Sequence, residues 1–331
     1  MLSTFFVGSE YLINYLGKGR NSMNFYQIKS TLKITGKESK VFLPNEIFDD
    51  LQGYITSGTH LAYAYSYYYL THFLYRNCKY LNTEVFLDGN VIKQVLGYAE
   101  SNRTMNYITK KGGLLDDIGY TESIKNIPLG WELKEIEGLT FTMAYDMPKD
   151  MLPEIPKMFF LKKPSKAFER TILKHDIETN QIVEEEAQGT FFDVSNTHSV
   201  DFNVFMYCMA NDEIGTIGFY LYSWLKHKHD IFRNGYDVSY EKLSAETGLP
   251  RRTMIKYLNA LKGYNLISFK FNQQYYVIGM TDGDRMATTY YANSYSNFYE
   301  VPKSFKKMMV MSKDDYNKRN DVVVTMEQLP F

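Results

Sequence analysis

A cluster of hydrogen-bonding side chains carries the chemistry that is most informative in this sequence. Its members are Arg251, Arg252, Thr253, Lys256 and Asn259. In the major groove of duplex DNA, arginine pairs with guanine and asparagine with adenine, whereas lysine and threonine more often hold phosphates. A merely solvated helix face would usually include carboxylates, but residues 250–265 contain no Asp or Glu. We therefore predict base contacts from the two arginines and the asparagine.

Three lysines of the same region are predicted to contact the DNA backbone. They are Lys256 within the cluster, Lys262 further along the same segment and Lys270 in the segment that follows. The formal net charge of the whole chain is only −1, so affinity for nucleic acid has to come from such a local concentration of positive charge.

Residues 239–263 have the spacing of two helices joined by a tight turn. Ser239 is suited to cap the first helix, and Gly248 is suited to the turn. Pro250 can begin the second helix. Apolar residues at helical spacing then predict one buried stripe, formed by Met254, Leu258 and Leu261. This pattern is typical of a helix-turn-helix.

A β-hairpin is predicted directly after the second helix. Residues 266–271 and 275–278 are rich in β-branched and aromatic types, and Asn272, Gln273 and Gln274 make a turn between them. Two helices followed by a hairpin constitute a winged helix, which we place at residues 196–281.

An earlier stretch resembles this unit. Asp88 is suited to cap a helix, and residues 103–108 (Arg-Thr-Met-Asn-Tyr-Ile) match residues 252–258 with one residue missing. A hairpin is expected within residues 122–145, around Gly138. The predicted fold is therefore α+β, with two winged-helix domains in tandem and the first at residues 41–147. The basic residues of the first domain are Arg103, Lys110 and Lys111. Either they contact phosphates or the domain serves only for packing, and both interpretations stay open.

The remaining segments are predicted to connect or support these domains. Residues 1–40 form an arm and the start of a hairpin that spans 24–48. Residues 148–195 form a linker, whose Pro-rich first part, within 146–164, is either a linker or an extended support strand, and an acidic loop lies at 176–193. Residues 282–331 comprise a Tyr-rich segment and a mobile basic tail. A long aromatic helix is predicted at 59–82, either buried or at the interface of a dimer.

No catalytic residue, metal ion or cofactor is predicted. The chain has no GxxxxGK[ST], GxGxxG, CxxC or HExxH motif. His227 and His229 are two residues apart on a predicted helix, where they would diverge by about 200° and could not share an ion.

Cys78 and Cys208 are the only cysteines, which indicates a reducing compartment. With neither a signal peptide nor an apolar span, we expect a cytoplasmic protein that does not enter a membrane.

The chain resembles the replication initiators of Gram-positive plasmids and related mobile elements. The resemblance rests on residues 243–267, on the order of elements in both halves, and on FYQIKSTLKI and FLPNEIF near the start. It implies binding of double-stranded origin repeats by the cluster at 251–259, as a homodimer or array that recruits host replication proteins. Two alternatives remain: a winged-helix transcriptional regulator of a plasmid or phage operon, and a protein-interaction module without DNA binding.

Overall fold

A computed structural model describes residues 23–36, 39–82, 85–135, 138–152, 155–279 and 286–318. Helices and small sheets alternate along this part of the chain, which is an α+β fold. The helices are α1 (Phe25–Thr31), α2 (Ile47–Tyr54), α3 (Gly58–Arg76), α4 (Gly89–Val95), α5 (Asn106–Thr109), α6 (Leu114–Asp117), α7 (Phe202–Met209), α8 (Gly215–Ile231), α9 (Tyr240–Thr247) and α10 (Arg251–Gly263). The strands are β1 (Lys40–Pro44), β2 (Leu81–Asn82), β3 (Val85–Phe86), β4 (Glu122–Ile124), β5 (Pro128–Lys134), β6 (Gly138–Met143), β7 (Leu161–Lys163), β8 (Glu169–Asp176), β9 (Gln181–Gln188), β10 (Thr197–Asp201), β11 (Tyr236–Val238), β12 (Ile267–Phe271), β13 (Tyr275–Val277), β14 (Thr288–Ala292) and β15 (Met309–Met311).

Helix α3 lies at the centre of the protein. Every residue from Leu61 to Tyr75 is buried, as expected for a helix that is apolar or aromatic nearly all round. Its rings pack against α8: the ring of Tyr69 meets that of Phe219 edge-on, with centroids 4.9 Å apart. The predicted long helix is confirmed, although it ends at Arg76 rather than near residue 82. Its tyrosines are enclosed by this chain and offer no surface to a second subunit.

Hydroxyl groups on α3 are hydrogen-bonded to β10. Tyr69 donates to the carbonyl oxygen of Val200 at 2.9 Å. The hydroxyl of Tyr65 lies 2.8 Å from Nε2 of His198. Buried phenols need such partners, because an unpaired hydroxyl in an apolar surrounding is costly. Strand β10 is thereby fixed on the central helix.

The two halves of the chain share one hydrophobic core. Strand β1 pairs antiparallel with β10, from Lys40 opposite Asp201 to Pro44 opposite Thr197. The buried apolar side chains of both halves belong to a single cluster that runs from Ile28 to Tyr290. The halves are therefore packed together rather than joined by an extended linker.

A three-stranded antiparallel sheet flanks the helix pair of the second half, with β11 before α9 and with β12 and β14 after α10. Its order is β11-β14-β12, with Phe269 of β12 and Tyr236 of β11 both opposite Tyr290 of β14. The prediction that residues 275–278 would pair with 266–271 is wrong. The true partner, β14, lies in the segment predicted to be merely Tyr-rich, because an alternating pattern marks a strand but does not name its neighbour.

Strand β13 instead pairs in parallel with β15, with Tyr275 opposite Met309 and Val277 opposite Met311. The backbone N–H of Lys303 donates to the carbonyl oxygen of Gly263 at 2.9 Å. These bonds hold the chain from 303 to 311 against α10 and β13. The basic tail was expected to be mobile, and this part of it is docked instead.

The hairpin predicted at 24–48 is also wrong. Residues 25–31 form α1, which is capped by Asn24: its Oδ1 accepts from the N–H of Gln27 at 2.9 Å, and Gln27 Oε1 accepts from the N–H of Asn24 at 2.8 Å. This reciprocal capping box favours a helix start over a strand. Residues 1–22 of the predicted arm at 1–23 lie outside the described residues.

Two segments, one predicted to be a linker or a support strand and one predicted to be an acidic loop, contain strands. Residues 161–163 form β7, which pairs with β4, and Lys162 is almost completely enclosed. The Lys162 Nζ lies 2.7 Å from Asp116 Oδ1 and donates to the carbonyl oxygen of Lys110 at 2.9 Å. The acidic stretch forms the second strand of the β8–β9 hairpin, with Asp176 opposite Gln181. A strand exposed to water tolerates such carboxylates, so charge alone did not exclude it.

The earlier helix pair is only partly as predicted. Asp88 caps α4, because its Oδ1 accepts from the N–H groups of Asn90 and Val91 at 2.9 and 3.0 Å. Strands β5 and β6 form a hairpin, and Gly138, the first residue of β6, has a φ of 68°. Helix α5, however, has only four residues. It is about 6 Å long, compared with about 20 Å for the 13 residues of α10.

Candidate nucleic-acid interface

Helices α9 and α10 are set at their angle by the turn at Gly248. The hydroxyl of Ser239 accepts a hydrogen bond from the N–H of Lys242 at 3.2 Å, so the predicted N-cap is confirmed. Gly248 has a left-handed backbone with φ of 63°, and an added Cβ there would lie 3.0 Å from the side chain of Gln52. A side chain at this position would strain the backbone and press on α2.

The apolar stripe of α10 packs inward, as predicted. Met254, Leu258 and Leu261 are fully buried. At the start of the helix, Pro250 lies so close to Gly58 that a Cβ on that glycine would be 2.9 Å from Pro250 Cδ. The core and the first turn of α3 therefore fix the position and rotation of α10.

The opposite face of α10 is open to solvent. Arg251, Arg252, Lys256 and Asn259 are exposed, and Thr253 is half-buried. Positions 252, 256 and 259 follow i, i+4, i+7 spacing, which places their side chains along one line of the helix. The structure thus brings five of the predicted contact residues together on one helix that neighbouring protein does not cover.

Arg251 differs from its neighbour Arg252 in being held by a carboxylate. Its Nη2 lies 3.0 Å from Oε1 of Glu241 on α9, and both side chains are more than half exposed. Such a surface ion pair is weak, about 1 kcal/mol at most, so DNA can compete with it. Sequence reasoning missed Glu241, because no periodic pattern links two positions on different helices of a turn.

Lys270 and Lys262 have opposite surroundings. Lys270 on β12 is exposed, whereas Lys262 is only 6% exposed. Burial lowers the pKa of Lys262 to about 8. Its Nζ lies 4.5 Å from the ring centroid of Phe269 and 5.2 Å from that of Tyr290. Lys262 therefore does not occupy the exposed position expected of a phosphate contact. Its spacing from Met254 and Leu258 places it on the buried stripe, a signal that the sequence already contained.

The basic residues of the first half are exposed but are not carried by a comparable helix. Arg103, Lys110 and Lys111 all face solvent, yet Arg103 and Lys111 lie outside the single turn of α5 and Lys110 lies at its end. The carbonyl of Lys110 is engaged by Lys162, which ties this region to the fold. No long helix among the described residues presents these three side chains along one line.

The two histidines of α8 face different neighbours. The ring of His227 is 5.6 Å from that of His198, and burial lowers the pKa of His227 to about 4. His229 Nδ1 instead accepts from the N–H of Ala292 at 3.2 Å. They diverge as the helix geometry requires. Among the residues that the structure describes, no three His, Cys, Asp or Glu side chains are grouped so that they could hold a metal ion.

Compared with models of known protein families, with curated proteins and with solved structures, the chain has no match. Within the described ranges, no helix combines the length and the apolar character that crossing a membrane requires. The geometry of the site must therefore support a function by itself.

Proposed function

We propose that the chain binds double-stranded DNA in a sequence-specific manner, and that residues 236–292 form a winged helix whose reading helix is α10. The observation that carries the proposal is the exposed line of Arg252, Lys256 and Asn259 on a helix about 20 Å long. A helix of this kind fits the major groove, where arginine and asparagine distinguish bases.

The order of elements supports the winged-helix assignment. Strand β11 precedes the helix pair, and β12 and β14 follow it and complete one sheet with β11. Strands β12 and β14 are the two strands of the corresponding wing, and β14 replaces the residues 275–278 that we predicted from sequence. Lys270, opposite Thr289 near the end of β12 that is farther from α10, adds an exposed cation to this wing, and such a cation can contact the DNA backbone.

The exposed face of α10 also has the electrostatics that DNA requires. No carboxylate lies on α10, and the nearest acidic partner, Glu241, holds only Arg251. Affinity generated by a few cations of this kind falls steeply with salt, because each phosphate contact releases a counterion.

For the first half, we infer a packing role rather than a second reading helix. Its α5 is a single turn, and its central helix α3 is buried by the rest of the chain. In this proposal, Arg103, Lys110 and Lys111 add phosphate contacts at most. The tandem arrangement then consists of one DNA-reading unit and one supporting unit.

Selection of bound duplexes from a random pool tests the proposal. The wild-type protein should enrich a defined sequence, and a triple variant with Arg252→Ala, Lys256→Met and Asn259→Ala should enrich none. The matched control is Lys157→Met, which removes an exposed lysine of the first half and should select the wild-type sequence. Absence of duplex affinity at low salt would refute the proposal and favour a protein-interaction module.

The biological use that we propose is initiation of replication on a plasmid or mobile element, in the cytoplasm, by a dimer or array on origin repeats with host replication proteins. It rests on the resemblance of residues 243–267 to such initiators. A winged helix serves transcriptional regulators equally well. Deletion of the gene should abolish maintenance of the element that carries it; altered expression of a neighbouring operon with normal maintenance would identify a regulator instead.

A further inference from the structure

A cavity of about 540 Å³ lies beside α10, between this helix and the docked C-terminal segment. Its wall includes Tyr240 and Glu241 of α9, Phe271 at the end of β12, and Phe305 to Met308. The size falls within the range of small-molecule sites, about 300–1,000 Å³. The packing of the core does not use this space, and of the residues proposed to contact DNA, Arg251 and Asn259 also line it.

A nearly enclosed ammonium group lies at the inner wall of the cavity. Lys262 lines it, and the Nζ of Lys262 is 5.8 Å from the ring centroids of both Tyr240 and Phe305, which also line it. Among the described residues, no carboxylate pairs with this ammonium and no oxygen accepts a hydrogen bond from it. Aromatic rings offset only part of the cost of burying a charge. An anion in the cavity would offset the rest.

Further cations make the cavity attractive to a phosphate. Lys306 and Lys307 line it from the C-terminal segment and are exposed, and Arg251 lines it from α10. The carboxylate that faces it, Glu241, is already paired with Arg251 at 3.0 Å. The balance of charge around the space is therefore positive.

Aromatic rings at the same wall distinguish this space from a plain anion site. Tyr240, Phe271, Tyr276 and Phe305 all line it. Stacking on such rings is how proteins hold nucleobases without reading their edges. A ligand that combines a flat ring system with a phosphate uses both properties of the wall, which inorganic phosphate or a neutral ring compound does not.

We propose that this cavity binds a nucleotide, with its phosphate at Lys262 and its base among the aromatic rings. The nucleotide is either a free nucleoside monophosphate or one unit of a single DNA strand, since the recognising chemistry is the same. The inference goes beyond duplex binding and does not depend on it, because occupancy of the cavity is measured without duplex DNA.

The docked segment at 303–311 is what closes the site. Lys303 is bound to Gly263, and Ile278 donates its N–H to the carbonyl oxygen of Met311 at 2.9 Å. Between these two anchors, Phe305 and the adjacent lysines are carried to the mouth of the cavity. A residue far along the sequence thereby completes a wall that α9 and α10 begin.

Calorimetric titration of the full chain tests the proposal. Separate titrants are adenosine, guanosine, cytidine and uridine 5′-monophosphates, adenosine alone, inorganic phosphate, and a short single-stranded oligothymidylate. At least one monophosphate or the oligothymidylate should bind more tightly than both adenosine and inorganic phosphate. Tighter binding by the oligothymidylate than by any monophosphate assigns the site to a DNA strand, and the reverse order assigns it to a free nucleotide.

Variants locate the binding in the cavity. Lys262→Met should weaken it about tenfold or more, because the variant cannot form a hydrogen bond between charged groups. Phe305→Ala should weaken it about fivefold or more by removing a stacking surface. The control is Lys157→Met, which removes an exposed lysine that does not line this cavity and should leave affinity unchanged. Thermal unfolding of each variant verifies that it is folded. The proposal is overturned if no nucleotide or oligothymidylate binds, if inorganic phosphate binds as tightly as either, or if a folded Lys262→Met variant binds like wild type.

Discussion

Arg252 and Arg251 should differ in their importance for DNA binding, although they are neighbours in sequence. Arg252 is exposed and lies in line with Lys256 and Asn259, whereas Arg251 is paired with Glu241 at 3.0 Å. A bidentate contact to guanine contributes about 1–3 kcal/mol. Arg252→Ala should therefore weaken binding to the selected duplex by about 5- to 150-fold.

The loss for Arg251→Ala should be smaller, because DNA must first displace the Glu241 carboxylate. That surface ion pair offsets up to about 1 kcal/mol of the contact. Arg252→Ala should change the free energy of unfolding by no more than about 0.5 kcal/mol, since its side chain is exposed, and Arg251→Ala by no more than about 1 kcal/mol, the value of its surface ion pair. Differences in affinity can then be assigned to the DNA contact.

Fluorescence anisotropy across a series of salt concentrations measures these effects. Arg252→Ala should lose discrimination at one base pair of the selected duplex. Lys256→Met should instead weaken all sequences alike and reduce the salt slope by about 0.9 for each phosphate that is no longer neutralised. Lys157→Met is the control for removal of a positive charge. If Arg252→Ala and Lys256→Met both bind with wild-type affinity and salt slope, α10 is not the reading helix.

Three further predictions concern the elements that support the site. Leu258→Ala should lower the free energy of unfolding by about 2–5 kcal/mol in urea titrations, because Leu258 is fully buried; a loss below about 1 kcal/mol would place α10 outside the core. The pKa of Lys262 is lowered to about 8 from a usual value of 10.5, so the wild type should gain stability as pH rises from 8 towards 10.5. Lys262→Met should remove this gain, and an unchanged pH profile would show that Lys262 is solvated. Asp116→Asn should lower the free energy of unfolding by about 3–5 kcal/mol in urea titrations, because it leaves the enclosed Lys162 without its carboxylate. A variant as stable as wild type would mean that the pair is not buried.

The second helix pair could be predicted closely because its signals are local. Ser239 as a cap, Gly248 in the turn and the stripe of Met254, Leu258 and Leu261 each depend on residues within a few positions of one another. The structure confirms all of these elements. The exposed placement of the polar cluster follows from the same helical period, since residues opposite a buried stripe face solvent.

The sheet could not be predicted in the same way, because strand pairing depends on residues far apart. An alternating pattern identified β12 and β13 but could not show that β12 pairs with β14, further along the chain, while β13 pairs with β15. The pairing of β1 with β10 joins positions as distant in the chain as Pro44 and Thr197, and no local signal encodes it.

Two local errors had different causes. The helix at 25–31 carried a readable capping box, Asn24 with Gln27, which the alternation of apolar residues obscured. The acidic residues of β9 were predicted to form a loop, although a strand exposed to water also accommodates charge. The cavity beside α10 was unpredictable for a third reason: its wall combines α9, α10, β12 and residues near 305, which only the folded chain brings together.

The pairing of β1 with β10 has a consequence for how this protein could be dissected. A fragment beginning near residue 196 would keep α10 and its sheet but lose the partner strand of β10 and the helix beneath it. Its bared strand edge and apolar face would favour aggregation. DNA-binding domains of many proteins can be cut out and grafted elsewhere as modules. Here α10 packs on a core to which the other half of the chain contributes, so we expect only the intact polypeptide to remain soluble.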